Sequence, residues 1–158
     1  MKEINPHDRE HTEIRRAIRD LCSSFPSEYW HNVEAESGYP VEFVKALTEA
    51  GWLSALIPEE YGGVGASLIE ASVIMEEINR SGANSGACHA QMYIMGALVR
   101  HGSDEQKNKY LPKIAAGELS LQSFAVTEPN AGTDTSKTKT FAEKKGDRVA
   151  FFLSKGFC

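Results

Sequence analysis

Phe124-Ala125-Val126-Thr127-Glu128-Pro129-Asn130-Ala131-Gly132-Thr133-Asp134 is the stretch on which the fold turns. An apolar run gives way to Glu-Pro-Asn-Ala-Gly, which is turn chemistry. The pattern predicts a strand over Leu121–Thr127 that opens into a loop of small and hydroxyl-bearing residues. Glycine and alanine impose little bulk, so a flat or anionic ligand can come close to such a loop. Its backbone N–H groups and the Thr127 and Thr133 hydroxyls can donate hydrogen bonds to carbonyls or phosphates. Two readings stand level on the residues alone: a ligand-facing loop, and a plain Asn-Ala-Gly turn between strands.

Everything upstream carries helical periodicity. Ile14, Ala17, Ile18, Leu21 and Phe25 recur at spacings of three and four, which predicts an amphipathic helix over about 6–24. Pro40 opens a second helix with Phe43, Val44 and Leu47 as its apolar stripe and Gly51 just past its end. Ser67 and Glu70 have capping-box spacing and start a helix through Ile69, Val73, Ile74 and Ile78. An uncharged helix follows from about Gly86 to His101. Ser103 and Gln106 repeat the capping-box spacing and open a helix through Tyr110, Leu111 and Ile114, which Pro112 is expected to kink or restart. Downstream the period changes. Thr138–Glu143 and Arg148–Leu153 read as further strands around a turn at Lys144-Lys145-Gly146-Asp147.

The chain has 158 residues, about one domain by length, and enough to bury a core without metals or disulfides. With 41% hydrophobic and 25% charged residues it is an ordinary globular mixture rather than a disordered one. The net charge of −5 makes the chain a poor candidate for sequence-independent nucleic-acid binding, which needs clustered basic residues against phosphate. Charge is uneven: residues 137–158 hold six basic and two acidic side chains, the rest eleven and twenty. Lysines along a solvated strand edge account for this, and a positive patch beside an anionic ligand is the sharper alternative. Cys22, Cys88 and Cys158 match no zinc or redox spacing, which points to a reducing compartment and a cytoplasmic location. Ser81–Val99 is uncharged over membrane-span length, but Asn84, His89, Gln91 and several glycines interrupt it, so no membrane span is expected.

Other candidates are weak. His7 and His11 share a helix face but lack a third ligand, so no metal is expected. Gly62-Gly63-Val64-Gly65 lacks the strand that precedes a dinucleotide loop and reads as a helix-connecting turn. No residue pair combines a nucleophile with a base.

The stretch from Ala125 to Asp134 resembles the signature of acyl-CoA dehydrogenases: small, aliphatic, Ser/Thr, Glu, two free positions, small, Gly, Ser/Thr, Asp. A later position that is usually Gly, Ser or Ala is Lys137 here. Ala50-Gly51-Trp52-Leu53, Ile57-Pro58-Glu59-Glu60-Tyr61-Gly62-Gly63, Met75-Glu76-Glu77, Gly102–Lys107, Lys109-Tyr110-Leu111-Pro112 and Ala116-Gly117-Glu118 are similar to family segments in the same order. The resemblance implies a mainly α chain: an all-helical domain over 1–118, the start of a middle β-domain over 119–148, and a tail over 149–158 that does not match. It implies FAD as cofactor, with Phe124, Ala125, Val126, Thr127, Gly132 and Thr133 at the flavin and Thr133 also at the substrate. It implies α,β-dehydrogenation of an acyl-CoA in fatty-acid or amino-acid catabolism, electron transfer to an electron-transfer flavoprotein, and homo-oligomers in full-length members. The family's catalytic carboxylate lies in its C-terminal part, so no catalytic residue is nominated and Glu128 receives no acid–base role. Ser85, His89 and Met92 correspond to a helix bordering the acyl pocket, and Lys137 and Lys139 are weak candidates for CoA phosphates. The break in similarity after Arg148 carries the expectation of a frameshift or premature stop, and of a chain inactive alone. A non-enzymatic folded remnant or interaction fragment is the alternative.

Overall fold

The computed structural model describes residues 11–123 and 126–152. The chain divides into two compact units, Met1–Gln122 and Ser123–Cys158. The first is helical: α1 (Thr12–Ser23), α2 (Ser27–Ala35), α3 (Val41–Glu49), α4 (Leu68–Arg80), α5 (Gly86–His101) and α6 (Asp104–Ala115). Short 3-10 turns at Trp52–Ser54 and Glu59–Tyr61 join α3 to α4. The second unit carries β1 (Phe141–Lys145) and β2 (Arg148–Phe152). This is the mainly α architecture, with a β region following, that the sequence implies.

Local chemistry sets the helix ends. Ser67 Oγ accepts from Glu70 N at 3.2 Å, and the Glu70 carboxylate accepts from Ser67 N at 2.7 Å. Ser103 and Gln106 make the same reciprocal pair at 3.2 and 2.9 Å. Each box satisfies two amides that a helix start otherwise leaves orphaned. Gly51 follows the last turn of α3 at φ +79°, the left-handed conformation that ends a helix and suits glycine. Gly63 is required for a different reason: a Cβ there would collide with the Ile57 carbonyl and side chain.

Two expectations about helices need correction. Pro112 does not restart α6, which runs unbroken over Asp104–Ala115. Leu111 and Ile114 are fully buried in the last turns, and that burial, about 1.5–3 kcal/mol per side chain, offsets the hydrogen bond proline cannot donate. In α1, Ala17 is exposed, and the buried positions are Arg15, Ile18 and Cys22. α2 is an element the apolar periodicity did not announce, since it buries no residue completely. Its Tyr29 ring stands edge-on to Phe25 and its Trp30 ring edge-on to Phe43, with centroids 5.1 and 4.9 Å apart, so aromatic contact with the rest of the unit holds it.

The main core gathers Ile18, Phe43, Leu47, Ile74, Ile78 and Met92 from α1, α3, α4 and α5, with Leu53 from the Trp52–Ser54 turn. A second cluster of Ile57, Met95, Leu111 and Ile114 ties α5 to α6. Across α1 and α4 the core includes an ion network. Arg15 and Glu77 are 3% and 0% exposed and 2.7 Å apart; Arg19 also reaches the Glu77 carboxylate at 2.6 Å, and Glu76 reaches Arg15 at 2.9 Å. A charge this far from water is tolerated only with such partners.

In the second unit β1 and β2 pair antiparallel from Phe141↔Phe152 to Lys145↔Arg148, around a two-residue turn with Gly146 at φ +61°. The expected strand over Leu121–Thr127 is not formed at its described residues 121–123 and 126–127, which join no strand ladder; Phe124 and Ala125 lie outside the described residues. A strand persists only in a ladder, and the nearest pairing is a single bridge, Glu128↔Ala131. The expected strand from Thr138 begins instead at Phe141, because the Glu128 carboxylate takes the Lys139 and Thr140 amides at 2.7 and 2.9 Å.

Candidate functional site

The predicted ligand-facing loop is built around Glu128. Its carboxylate is buried and accepts the Lys139 and Thr140 amides together with the Thr140 hydroxyl. Its backbone exchanges hydrogen bonds with Ala131 at 3.2 and 3.1 Å, which turns the chain at Pro129 and Asn130. A carboxylate that accepts several donors acts as a structural clamp. The clamp presents Thr127, Gly132 and Thr133 on the exposed side, with Val126 half-buried. A Cβ added at Gly132 would meet nothing within 4 Å, so open space lies against the backbone there. Such a small, hydroxyl-bearing edge fits close approach of a flat ring. Of the other nominated residues, Phe124 and Ala125 lie outside the described set.

Asp134 closes the far side of the loop. Its carboxylate accepts from Ser136 N at 3.2 Å and from the Ser136 hydroxyl, and pairs with Lys137 at 3.2 Å. The Ser136 hydroxyl first, and Lys137 second, hold the Asp134 carboxyl below its ordinary value. Lys137 is therefore engaged within the loop, which weakens its candidacy for CoA phosphates. His7 lies outside the described residues; His11 starts α1, and no group of three potential metal ligands exists among the described residues.

The helical unit holds a cavity of about 650 Å³ between α4 and α5, in the size range of small-molecule sites. Leu68, Ala71, Ser72 and Met75 form the α4 wall, and His89, Met92, Tyr93, Gly96 and Ala97 the α5 wall. His89 stands edge-on to Tyr93 at 5.0 Å. Arg100 and His101 line it near the end of α5. His89 and Met92 thus belong to this cavity, as the sequence singled them out. Ser85 does not line it and instead donates to Asn79 Oδ1 at 3.1 Å. The α4 wall was missed, although the small and soft residues Ala71, Ser72 and Met75, at helical spacing on α4, were a readable signal.

The sequence model of the acyl-CoA dehydrogenase N-terminal domain matches residues 8–118. The chain belongs to the acyl-CoA dehydrogenase family. Its helical unit is that family's N-terminal domain, and the hairpin region is the start of the β-domain that follows. It is 35% identical over 140 residues to the probable acyl-CoA dehydrogenase fadE25 of Mycobacterium leprae, covering 87% of this chain and 36% of that relative. The acyl-CoA dehydrogenase of Geobacillus kaustophilus superposes with a TM-score of 0.77 at 30% identity, over 95% of this chain and 39% of that one. An acyl-CoA dehydrogenase of Bacillus anthracis, solved in complex with FAD, superposes with a TM-score of 0.68 at 33% identity, over 88% of this chain and 25% of that one. The chain therefore spans between a quarter and two fifths of the length of these relatives. Within the described residues no helix is long and apolar enough to cross a membrane.

Proposed function

We propose that this chain furnishes the N-terminal share of an FAD-dependent acyl-CoA dehydrogenase site, acting in fatty-acid or amino-acid catabolism in the cytoplasm. The α4–α5 cavity is the observation that carries the reading: an apolar, soft-walled groove in the helical domain, suited to an acyl chain. Residues 1–118 would be the helical domain and 119–148 the start of the β-domain; because β2 pairs with β1 through Phe152, the non-matching stretch from 149 begins inside that hairpin rather than outside it. The Thr127 hydroxyl, the Gly132 backbone and the segment from Phe124 to Val126 would hold the flavin; Thr133 would stand where flavin and acyl-CoA meet. Support comes from the open space at Gly132 and from the exposed Thr127 and Thr133. FAD, when bound, accepts the β-hydrogen of the acyl thioester as hydride. The chain's own part is to bind and orient, and no group described in it serves as the base. Glu128 is committed to backbone amides. Electrons would leave to an electron-transfer flavoprotein, and homo-oligomers belong to the same reading.

By itself the chain is expected to hold no stoichiometric flavin and to oxidise no acyl-CoA. The test supplies the missing share in trans or as a fusion, using the C-terminal portion of a 35%-identical relative. The expected result is a yellow assembly that reduces an artificial acceptor when acyl-CoA is added, while either part alone does not. A flavin-loaded assembly that oxidises no acyl-CoA of any chain length would refute the proposal and leave a folded, non-enzymatic domain.

A further inference from the structure

Among the residues lining the α4–α5 cavity only Arg100 is formally charged; His101 stands beside it at one end, and His89 lies toward the other. The α4 wall contributes only neutral residues, Leu68, Ala71, Ser72 and Met75. Along α5, His89, Tyr93, Gly96 and Arg100 follow at intervals of four, three and four, so they share one helix face. His89 and Arg100 are therefore about 16 Å apart along the axis. Between them the floor is apolar: Met92 is buried, and a Cβ added at Gly96 would meet nothing within 4 Å, so the groove stays wide at its middle.

Arg100 and His101 are both exposed, and among the described residues neither has a carboxylate within ion-pair distance. Asp104 and Glu105, the acids nearest in sequence, begin α6 and do not line the cavity. An alkyl chain lying on the apolar floor would meet, at the α5 C-terminal end, an always-protonated guanidinium with no carboxylate partner among the described residues. A cation placed at the end of an apolar groove is complementary to an amphiphile whose end is anionic, and gives nothing to one whose end is neutral.

We infer that the α4–α5 groove selects an acyl group with an anionic terminus, and that Arg100 and His101 are the residues that select it. The inference rests on the reading of the groove as an acyl site. It narrows the substrate class from acyl thioesters in general to those whose acyl portion carries a carboxylate.

The test needs neither flavin nor turnover. Octanoate, octanol and octylammonium share one apolar body and differ in charge, and their binding to the whole chain is measured by calorimetry or ligand-observed NMR. Octanoate is expected to bind about fivefold more tightly than octanol, the size of an exposed charge contact near 1 kcal/mol, and octylammonium more weakly than either. In the Arg100→Gln/His101→Gln variant, octanoate should fall to the level of octanol while octanol is unchanged; Arg100→Lys should retain most of the preference. Both positions are exposed, so these variants are expected to fold, and far-UV dichroism checks it. Equal binding of octanoate and octanol, a preference that survives the double substitution, or no binding of any probe would each overturn the inference. An assembly that turns over plain acyl-CoA with no dependence on Arg100 would overturn the selectivity alone and leave the acyl-CoA reading in place.

Discussion

Replacing Glu77 with leucine is the sharpest perturbation of the helical unit. Glu77 is fully buried and joins α4 to α1 through Arg15 at 2.7 Å and Arg19 at 2.6 Å. Removing one partner of a buried ion pair costs about 3–5 kcal/mol, because the other charge is stranded away from water. Here Arg15 keeps Glu76 at 2.9 Å, and that carboxylate is 51% exposed and so partly screened. The remaining contact places Glu77→Leu at the low end, about 3 kcal/mol. With a urea slope of about 2 kcal/mol per molar, the unfolding midpoint should fall by about 1.5 M. Trp30 and Trp52 are the chain's two tryptophans and both belong to the helical unit, so tryptophan fluorescence follows that unit alone. Arg15→Leu should also destabilise, and the double Arg15→Leu/Glu77→Leu variant should recover a coupling of about 1–3 kcal/mol relative to the summed singles. The hydrogen bond from Arg19 first, and that from Arg15 after it, hold the Glu77 carboxyl below its ordinary value against the opposing effect of burial. A folded-state value below the unfolded one means this stabilisation is complete above the unfolded carboxyl pKa, about 4.3. It is lost as pH falls through the lower folded value. Glu77→Gln should therefore flatten the acid limb of the stability profile. A Glu77→Leu midpoint within about 0.5 M of the parent, or singles that add without coupling, would refute the network as the α1–α4 clamp.

Three further outcomes follow from single contacts. Ser67→Ala removes the cap at the start of α4 and should cost about 1 kcal/mol in the same urea assay. Glu128→Ala strips the acceptor from the Lys139 and Thr140 amides; those two amides should exchange with deuterium at least about tenfold faster, while the tryptophan-monitored midpoint stays unchanged. Burial pushes the Cys88 thiol up to about 12 and raises Cys22 as well, so at mildly alkaline pH both should resist an alkylating reagent in the native chain and react in urea; rapid native labelling of Cys88 would contradict its placement in the core.

Much of the helical unit was legible because its signals are local. Ser67-x-x-Glu70 and Ser103-x-x-Gln106 close within one turn of chain, and Gly51 ends α3 through its own backbone freedom. The loop from Thr127 to Asp134 was also legible as a loop, since turn residues act on their neighbours. What the residues could not disclose depends on partners far along the chain. α2 needed Phe43 to reveal why Tyr29 and Trp30 sit in a helix. The Leu121–Thr127 run has strand composition, but composition supplies no ladder partner.

The sequence by itself determined the family resemblance, the succession of helices before strands, and the small-residue loop, because each is written in spacing and turn chemistry. Only the tertiary structure decided that Arg15 meets Glu77 across 62 positions, that Glu128 spends its carboxylate on the Lys139 and Thr140 amides, and that α4 and α5 leave a groove ending at Arg100. The physical reason is the same in each case: charge pairing, amide satisfaction and cavity shape are properties of groups brought together by packing, and their sequence separation carries no trace of it.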